Sequence, residues 1–176
     1  MLKVMLSLMV LSSGLSSYGG AISQVAVDLP PRPTQAMIEC HDETWVAGNL
    51  STVQGFKLQK KFAPFVDQAL SDSEVDGYQL QISSAYRTCP EQKQLRISAC
   101  GLGDYNLNQK PIDLCLPPTE PAGKSLHNEG LAVDFKCAGY GVFDSSPCLT
   151  WLRSNGYKYH LYEHRLEPWH WSTTGQ

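Results

Sequence analysis

Apolar and polar residues alternate in residues 78–83 and again in residues 131–135, which predicts two strands with one buried face each. In the second segment the alternation places Asp134 opposite its apolar neighbours. In residues 169–172 two tryptophans point one way, while His170 and Ser172 point the other. Asp134 and His170 are therefore predicted on the polar faces of two strands.

Helical spacing is found in three other parts of the chain. Apolar residues recur between Ser51 and Ala69, where Pro64 should begin a new helix or kink this one. Residues 90–99 are predicted to be helical, with a proline in the first turn and Gly101 just past the end. A short helix should run from residue 146 to Gly156, followed by an aromatic-rich strand at 157–162. The mixture predicts an α+β fold, with helices packed on a small, mostly antiparallel sheet.

Residues 101–124 are rich in glycine, proline and asparagine and are predicted to form a long loop. A loop of this length in a compact domain often borders a binding site.

The first 21 residues have the order of a secretory signal peptide: a lysine, an apolar stretch, then small residues. Residues 22–36, which include a proline-rich segment, are predicted to form an extended linker, and residues 37–176 the folded domain. An uncleaved anchor and a disordered tail are the alternatives for the first segment. The expectation is an exported protein, periplasmic or extracellular, with no stable membrane span, because the apolar stretch is too short.

The composition of the 176-residue chain suits one globular domain, with 42% hydrophobic residues and a net charge of −3. There is no run of basic residues, which argues against nucleic acid as a partner. The sequence does not indicate an oligomeric state.

Six cysteines and an export signal together predict disulfide bonds. Cys89 and Cys100 are separated by ten residues, and so are Cys137 and Cys148. Closing both of these short loops would leave the two remaining cysteines, Cys40 and Cys115, as a third pair. This is one of the many connectivities that six cysteines allow.

Two imidazoles and a carboxylate are candidate metal ligands: His127, Asp134 and His170. Catalytic zinc takes three protein ligands of these types and keeps a further position for water. Glu167, three residues before His170, can accept a proton from the attacking water and later deliver it to the leaving amine. Arg87 would stabilise the oxyanion that forms, or hold an anionic substrate.

Each of these residues taken singly also has an ordinary structural interpretation, such as a hydrogen-bonded histidine or a salt-bridged arginine. A second pattern competes for the metal: residues 160–164 match the inverted zinc-peptidase sequence H-x-x-E-H. That pattern requires a helix, whereas His160 and His164 follow the predicted helix stop at Gly156. The sequence therefore favours the first set of ligands.

Three segments of the chain resemble the zinc D-alanyl-D-alanine carboxypeptidases of the VanY type. That family carries S-x-Y-R, then S-x-H-x-x-G-x-A-x-D, then E-x-W-H, and all three stand here in order at 84–87, 125–134 and 167–170. The resemblance implies an α+β fold shared with the Hedgehog amino-terminal domain and hydrolysis of peptidoglycan stem peptides. Carried over by position, the resemblance implies one zinc ion bound by His127, Asp134 and His170. It also implies Glu167 as the catalytic base and Arg87 as the contact to the scissile carbonyl. Ser125 and Gln92 are implied as further substrate contacts.

The resemblance leaves the cleaved bond open. D-Alanyl-D-alanine carboxypeptidase activity is the leading expectation, with L,D-carboxypeptidase or endopeptidase activity on the same peptides as alternatives. A non-catalytic cell-wall binding protein that retains zinc, or a structural zinc fold that serves as a protein ligand, is the alternative from another class.

Overall fold

A computed structural model describes residues 40–140 and 146–176. The predicted signal peptide and linker, and the first residues of the predicted domain, lie outside this range. No helix within the described residues is both long and apolar enough to cross a membrane.

Helices and strands are interspersed along the described chain. The helices are α1 Glu43–Asn49, α2 Ala63–Val75, α3 Cys89–Cys100, α4 Asp104–Asn108 and α5 Pro147–Asn155. The strands are β1 Leu50–Val53, β2 Phe56–Gln59, β3 Leu80–Ser84, β4 Ala132–Cys137, β5 Tyr162–His164 and β6 Glu167–Ser172. Short 3-10 helices lie at Ile112–Leu114, Leu126–Glu129 and Gly156–Tyr159.

Four antiparallel strands form the main sheet in the order β3-β4-β6-β5, and β1 and β2 form a separate hairpin. In the centre of the sheet Asp134 on β4 lies directly opposite His170 on β6. On the other side Asp134 is paired with Ser84, past an irregularity in β3. The register therefore brings the ends of all three motif segments to one row of the sheet.

The core lies between this sheet and helices α2 and α5. Val66, Ala69, Leu149 and Leu152 on the helices and Phe135 on β4 are completely buried, together with the remainder of the apolar cluster. Side chains of neighbouring residues in a strand point to opposite faces, so Asp134, next to Phe135 on β4, points away from the helices. The α+β architecture predicted from the sequence is thus confirmed, and Asp134 stands on the sheet face that the core leaves available.

Two of the predicted elements are wrong. Residues 51–59 form the β1–β2 hairpin instead of a helix, because Gln54 and Gly55 adopt positive φ angles of 48° and 86° and make a two-residue turn. Residues 157–162 begin as a 3-10 helix that ends at His160, which also has a positive φ, and only then become a strand. There the aromatic ring of Tyr159 is buried and its hydroxyl donates to Asp72, 2.7 Å away.

Three disulfides are present, and only one has the predicted partners. Cys137 is bonded to Cys148 as expected, whereas Cys40 is bonded to Cys89 and Cys100 to Cys115. The predicted Cys89–Cys100 pair was wrong because the two residues are the first and last of helix α3. A helix of twelve residues separates its ends by about 16 Å, far beyond the reach of a disulfide.

Helix α3 holds the segment that follows it through two side chains one turn apart. The guanidinium of Arg96 is completely buried and donates to the main-chain oxygens of Asn106 (2.9 Å), Lys110 and Thr119. The Gln92 amide donates to the main-chain oxygen of Glu120, 2.8 Å away. The predicted loop 101–124, which contains α4 and a 3-10 turn, is thereby fixed against the helix.

Replacement of Gly130 by alanine is expected to cost about 2–5 kcal/mol of unfolding free energy, from backbone strain and overpacking together. Its φ is +67°, and a β-carbon there would lie 2.8 Å from the Gln59 nitrogen and 2.9 Å from Leu50. Gly77→Ala is the matched control, because Gly77 has a similar φ of +85° but no atom within 4 Å of the added carbon. Urea unfolding should show the larger loss at Gly130, and equal losses would contradict a tight contact with the hairpin.

Candidate metal centre

Three side chains from adjacent elements meet above the centre of the sheet. Asp134 and His170 face each other across β4 and β6, and His127 is presented by the 3-10 helix Leu126–Glu129 just before β4. Ser125 caps this short helix by accepting the His127 amide, and Gly130 ends it in the left-handed conformation. Among the described residues these three form the cluster of histidine, cysteine and acidic side chains that is suited to a metal ion.

The three ligand atoms are almost equidistant. His127 Nε2 lies 3.2 Å from Asp134 Oδ1 and 3.0 Å from His170 Nδ1, and the distance from His170 Nδ1 to Asp134 Oδ1 is 3.1 Å. The opposite ring nitrogens donate to main-chain oxygens, His127 Nδ1 to Ala85 at 2.6 Å and His170 Nε2 to Gln176 at 2.9 Å. These bonds place His127 Nε2 and His170 Nδ1 on the ring edges that face the carboxylate.

The charges of the cluster favour a cation. Burial lowers the pKa of His127 to about 4. Burial raises the pKa of Asp134, but attraction and hydrogen bonds from the two histidines outweigh it and hold that pKa well below its usual value. For His170 burial lowers the pKa, and the hydrogen bond and charge of Asp134 reverse the sign, so the net pKa is raised. A buried carboxylate thus stabilises positive charge at the point where the three side chains meet.

Arg87 reaches the same point from the end of β3. Its Nη2 lies 2.5 Å from Asp134 Oδ2 and 2.9 Å from His127 Nε2. Its Nε donates to Ser84 Oγ and its Nη1 to Gln92 Oε1, both at 3.0 Å. The guanidinium is held by four contacts and lines the cleft beside the cluster.

Glu167 stands at the start of β6, on the cleft wall next to the cluster. Burial raises the pKa of its carboxyl to about 7; the charge of His170 opposes this shift, and the charge of Asp134 adds to it. Such a carboxyl can take up and release a proton near neutral pH.

The two substrate-contact residues implied by the resemblance differ in their surroundings. Ser125 lines the cleft, where its hydroxyl accepts the His127 amide at 3.3 Å. Gln92 is buried, and its amide is bound on one side to Arg87 and on the other to the Glu120 main chain. Gln92 thus connects the arginine to the segment that follows α3.

The histidines of the second zinc pattern are separated in the structure. His160 packs edge-on against Phe65, with 4.9 Å between ring centroids. His164 lines the cleft with its Nδ1 3.7 Å from Glu167 Oε2 and its ring 5.5 Å from that of His170. Burial lowers the pKa of His164 to about 4. The pattern that excluded His160 and His164 as metal ligands gave no sign that His164 lies beside Glu167.

The cluster lies in a cleft of about 1410 Å³. One wall is apolar and comes from α3 and the segment after it, including Leu95, Ile112 and Leu116. Glu120 on the same wall has a raised pKa because it is partly buried. This volume is far larger than two alanine residues need, so the cleft can accommodate several residues of a peptide.

Residues 55–176 match the VanY family, described as D-alanyl-D-alanine carboxypeptidase. The chain belongs to this family. The match covers both strands that carry the cluster. It assigns this VanY-family protein as a peptidase that acts on the cell wall. A comparison with curated protein sequences finds no significant match.

Solved structures show the same fold. VanYB in complex with D-alanine-D-alanine has a TM-score of 0.56 at 20% identity, with 80% of this chain and 79% of that one covered. A glutamate-to-alanine mutant of the D,D-pentapeptidase VanY from a VanB-type resistance cassette, in complex with Zn(II), has a TM-score of 0.55 at 19% identity, covering 70% and 77%. The LD-carboxypeptidase LdcB has a TM-score of 0.52 at 23% identity, covering 69% and 61%.

Proposed function

We propose that this VanY-family protein is an exported zinc peptidase that releases the terminal D-alanine from peptidoglycan stem peptides. The observation that carries the proposal is the arrangement of His127, Asp134 and His170, with Glu167 on the wall of the same cleft. A purely structural metal site would not need a carboxyl beside it that is not itself a metal ligand. Three disulfides in a chain of this size support an oxidising compartment outside the cytoplasm.

The residues present fit a zinc ion. Two neutral imidazole nitrogens and a carboxylate oxygen are the ligand types that zinc takes in catalytic sites, and both rings have the second hydrogen bond that fixes the tautomer. Zinc bound there would supply Lewis acidity, which lowers the pKa of water and polarises a carbonyl oxygen. One of the structural neighbours holds Zn(II), which agrees with this choice of metal.

The protein's own groups would act on either side of the scissile amide. The Glu167 carboxylate accepts the proton of the attacking water and donates it to the nitrogen of the leaving D-alanine as the C–N bond breaks. Positive charge in the cluster would lower the pKa of Glu167 below about 7, which favours the base form at neutral pH. The Arg87 guanidinium, held by Ser84 and Gln92, stabilises the negative charge that develops on the carbonyl oxygen.

Incubation of the protein with a stem pentapeptide ending in D-alanyl-D-alanine should release D-alanine, as identified by mass spectrometry. A chelator should stop the release, and added zinc should restore it. A stem tetrapeptide and a cross-linked muropeptide are run in parallel. Loss of D-alanine from the tetrapeptide alone would change the assignment to an L,D-carboxypeptidase, and an internal cut to an endopeptidase. A zinc-bound protein that turns over none of the three would overturn the enzyme assignment.

A further inference from the structure

The segment that follows β6 turns back onto the metal centre. Ser172, the last residue of β6, is completely buried. Its hydroxyl oxygen accepts main-chain N–H groups from Gly175 at 2.9 Å and Gln176 at 3.0 Å, with a longer contact to Thr174 at 3.4 Å. A single oxygen thus binds three of the four residues after it, and the fourth, Thr173, donates its amide to the Leu131 main-chain oxygen.

This turn delivers one acceptor to a proposed metal ligand. The Gln176 main-chain oxygen accepts from His170 Nε2 at 2.9 Å, which leaves His170 Nδ1 to face Asp134 and His127. For His127 the corresponding acceptor is the main-chain oxygen of Ala85, the residue next to the end of β3. The acceptor of His170 has no such support from a regular element. It depends on the turn that Ser172 holds.

We infer that Ser172 is a positioning residue for the metal centre, which acts through the main-chain oxygen of Gln176 to hold the His170 ring in its ligand tautomer. The inference rests on the proposed function only in taking zinc as the metal. Ser172 does not touch the metal position or the substrate cleft; it sets how well His170 is prepared to bind the ion. Outer partners of this kind change metal affinity by about 10–100-fold when they are lost.

The turn can be disturbed at a second position. Gly175 has a φ of +75°, and a β-carbon there would lie 3.2 Å from the Glu163 main-chain oxygen. Gly175→Ala should therefore displace the Gln176 oxygen without changing Ser172. If both residues act through the same turn, the double variant should lose no more affinity than the worse single variant.

Zinc affinity of the metal-free full chain, measured by competition with a chromogenic chelator, tests the inference. Ser172→Ala and Gly175→Ala should each bind zinc about 10–100-fold more weakly than wild type. The matched control is Ser146→Ala, which removes another buried serine hydroxyl that accepts a main-chain amide, that of Leu149 at 3.3 Å, at the start of α5. Its zinc affinity should stay within about threefold of wild type.

A spectroscopic measurement separates this role from simple destabilisation. In zinc-loaded wild type the Nε2 proton of His170 should be protected from solvent exchange in imidazole ¹⁵N–¹H spectra, and in both turn variants it should exchange rapidly. Unchanged affinity or protection in the turn variants, or an equal loss in Ser146→Ala, would overturn the inference. Zinc binding without hydrolysis by wild type would overturn only the proposed function, whereas no zinc binding by wild type would overturn both.

Discussion

Replacing Glu167 by glutamine is expected to lower kcat for D-alanine release by about 10²–10⁴-fold, the contribution of a positioned general base. Glutamine has nearly the same shape but cannot accept the proton of the attacking water. Because Glu167 is outside the cluster of three ligands, the zinc content of the purified variant should equal that of wild type. Steady-state kinetics on the stem pentapeptide and metal analysis of the same sample provide the two measurements.

The control for this variant is Glu163→Gln on the neighbouring strand. Glu163 is paired with the Arg153 guanidinium at 2.6 Å and does not line the cleft. Its replacement removes a carboxylate of the same hairpin and should leave kcat within about twofold, since this partly exposed ion pair lies outside the cleft and contributes little to stability. Activity that survives in Glu167→Gln would show that another group accepts the proton, and His164 would be the first to examine.

Loss of either proposed imidazole ligand should remove zinc. His127→Ala and His170→Ala are expected to weaken zinc binding by more than about 10²-fold, since loss of an outer partner alone already costs 10–100-fold. The double variant His160→Ala with His164→Ala should keep its zinc, because neither of these rings belongs to the cluster. Inductively coupled plasma analysis after dialysis against a weak chelator measures the difference.

The double variant also serves as the control for the loss of a histidine as such, because it removes two imidazoles outside the cluster. Retention of zinc by the His127 and His170 variants together with its loss from the double variant would reverse the assignment of the ligands. Activity is the less suitable measurement here, because His164 lies 3.7 Å from Glu167 and its loss can change turnover without changing the metal.

The strand faces that carry Asp134 and His170 could be predicted from the sequence because they depend on local periodicity. Alternation places Asp134 and His170 on the polar faces of their strands, and the register of β4 and β6 then sets them side by side. The position of His164 could not be predicted in the same way. It faces Glu167 across a two-residue turn, Arg165-Leu166, which has none of the glycine or asparagine that normally indicates a hairpin.

The pairing of four of the six cysteines was missed for a related reason, while Cys137–Cys148 was predicted correctly. Equal spacing suggested that Cys89 and Cys100 close a loop, although the residues between them were themselves predicted to be helical. The helical prediction excludes the bond, and the two cysteines instead fasten separate segments to opposite ends of α3. The partners, Cys40 and Cys115, are brought there by tertiary contacts that no local pattern encodes.

The attachment of the cleft wall to α3 has a consequence for the divergence of such enzymes. Arg96 and Gln92 hold the wall through main-chain oxygens alone, at Asn106, Lys110 and Thr119 for the first and Glu120 for the second. Every residue type has that oxygen, so side chains of the wall other than the disulfide-bonded Cys115 can be exchanged while these hydrogen bonds are kept. New peptide preferences could therefore arise by substitution along the wall, one residue at a time, with the three-residue cluster and Glu167 left in place.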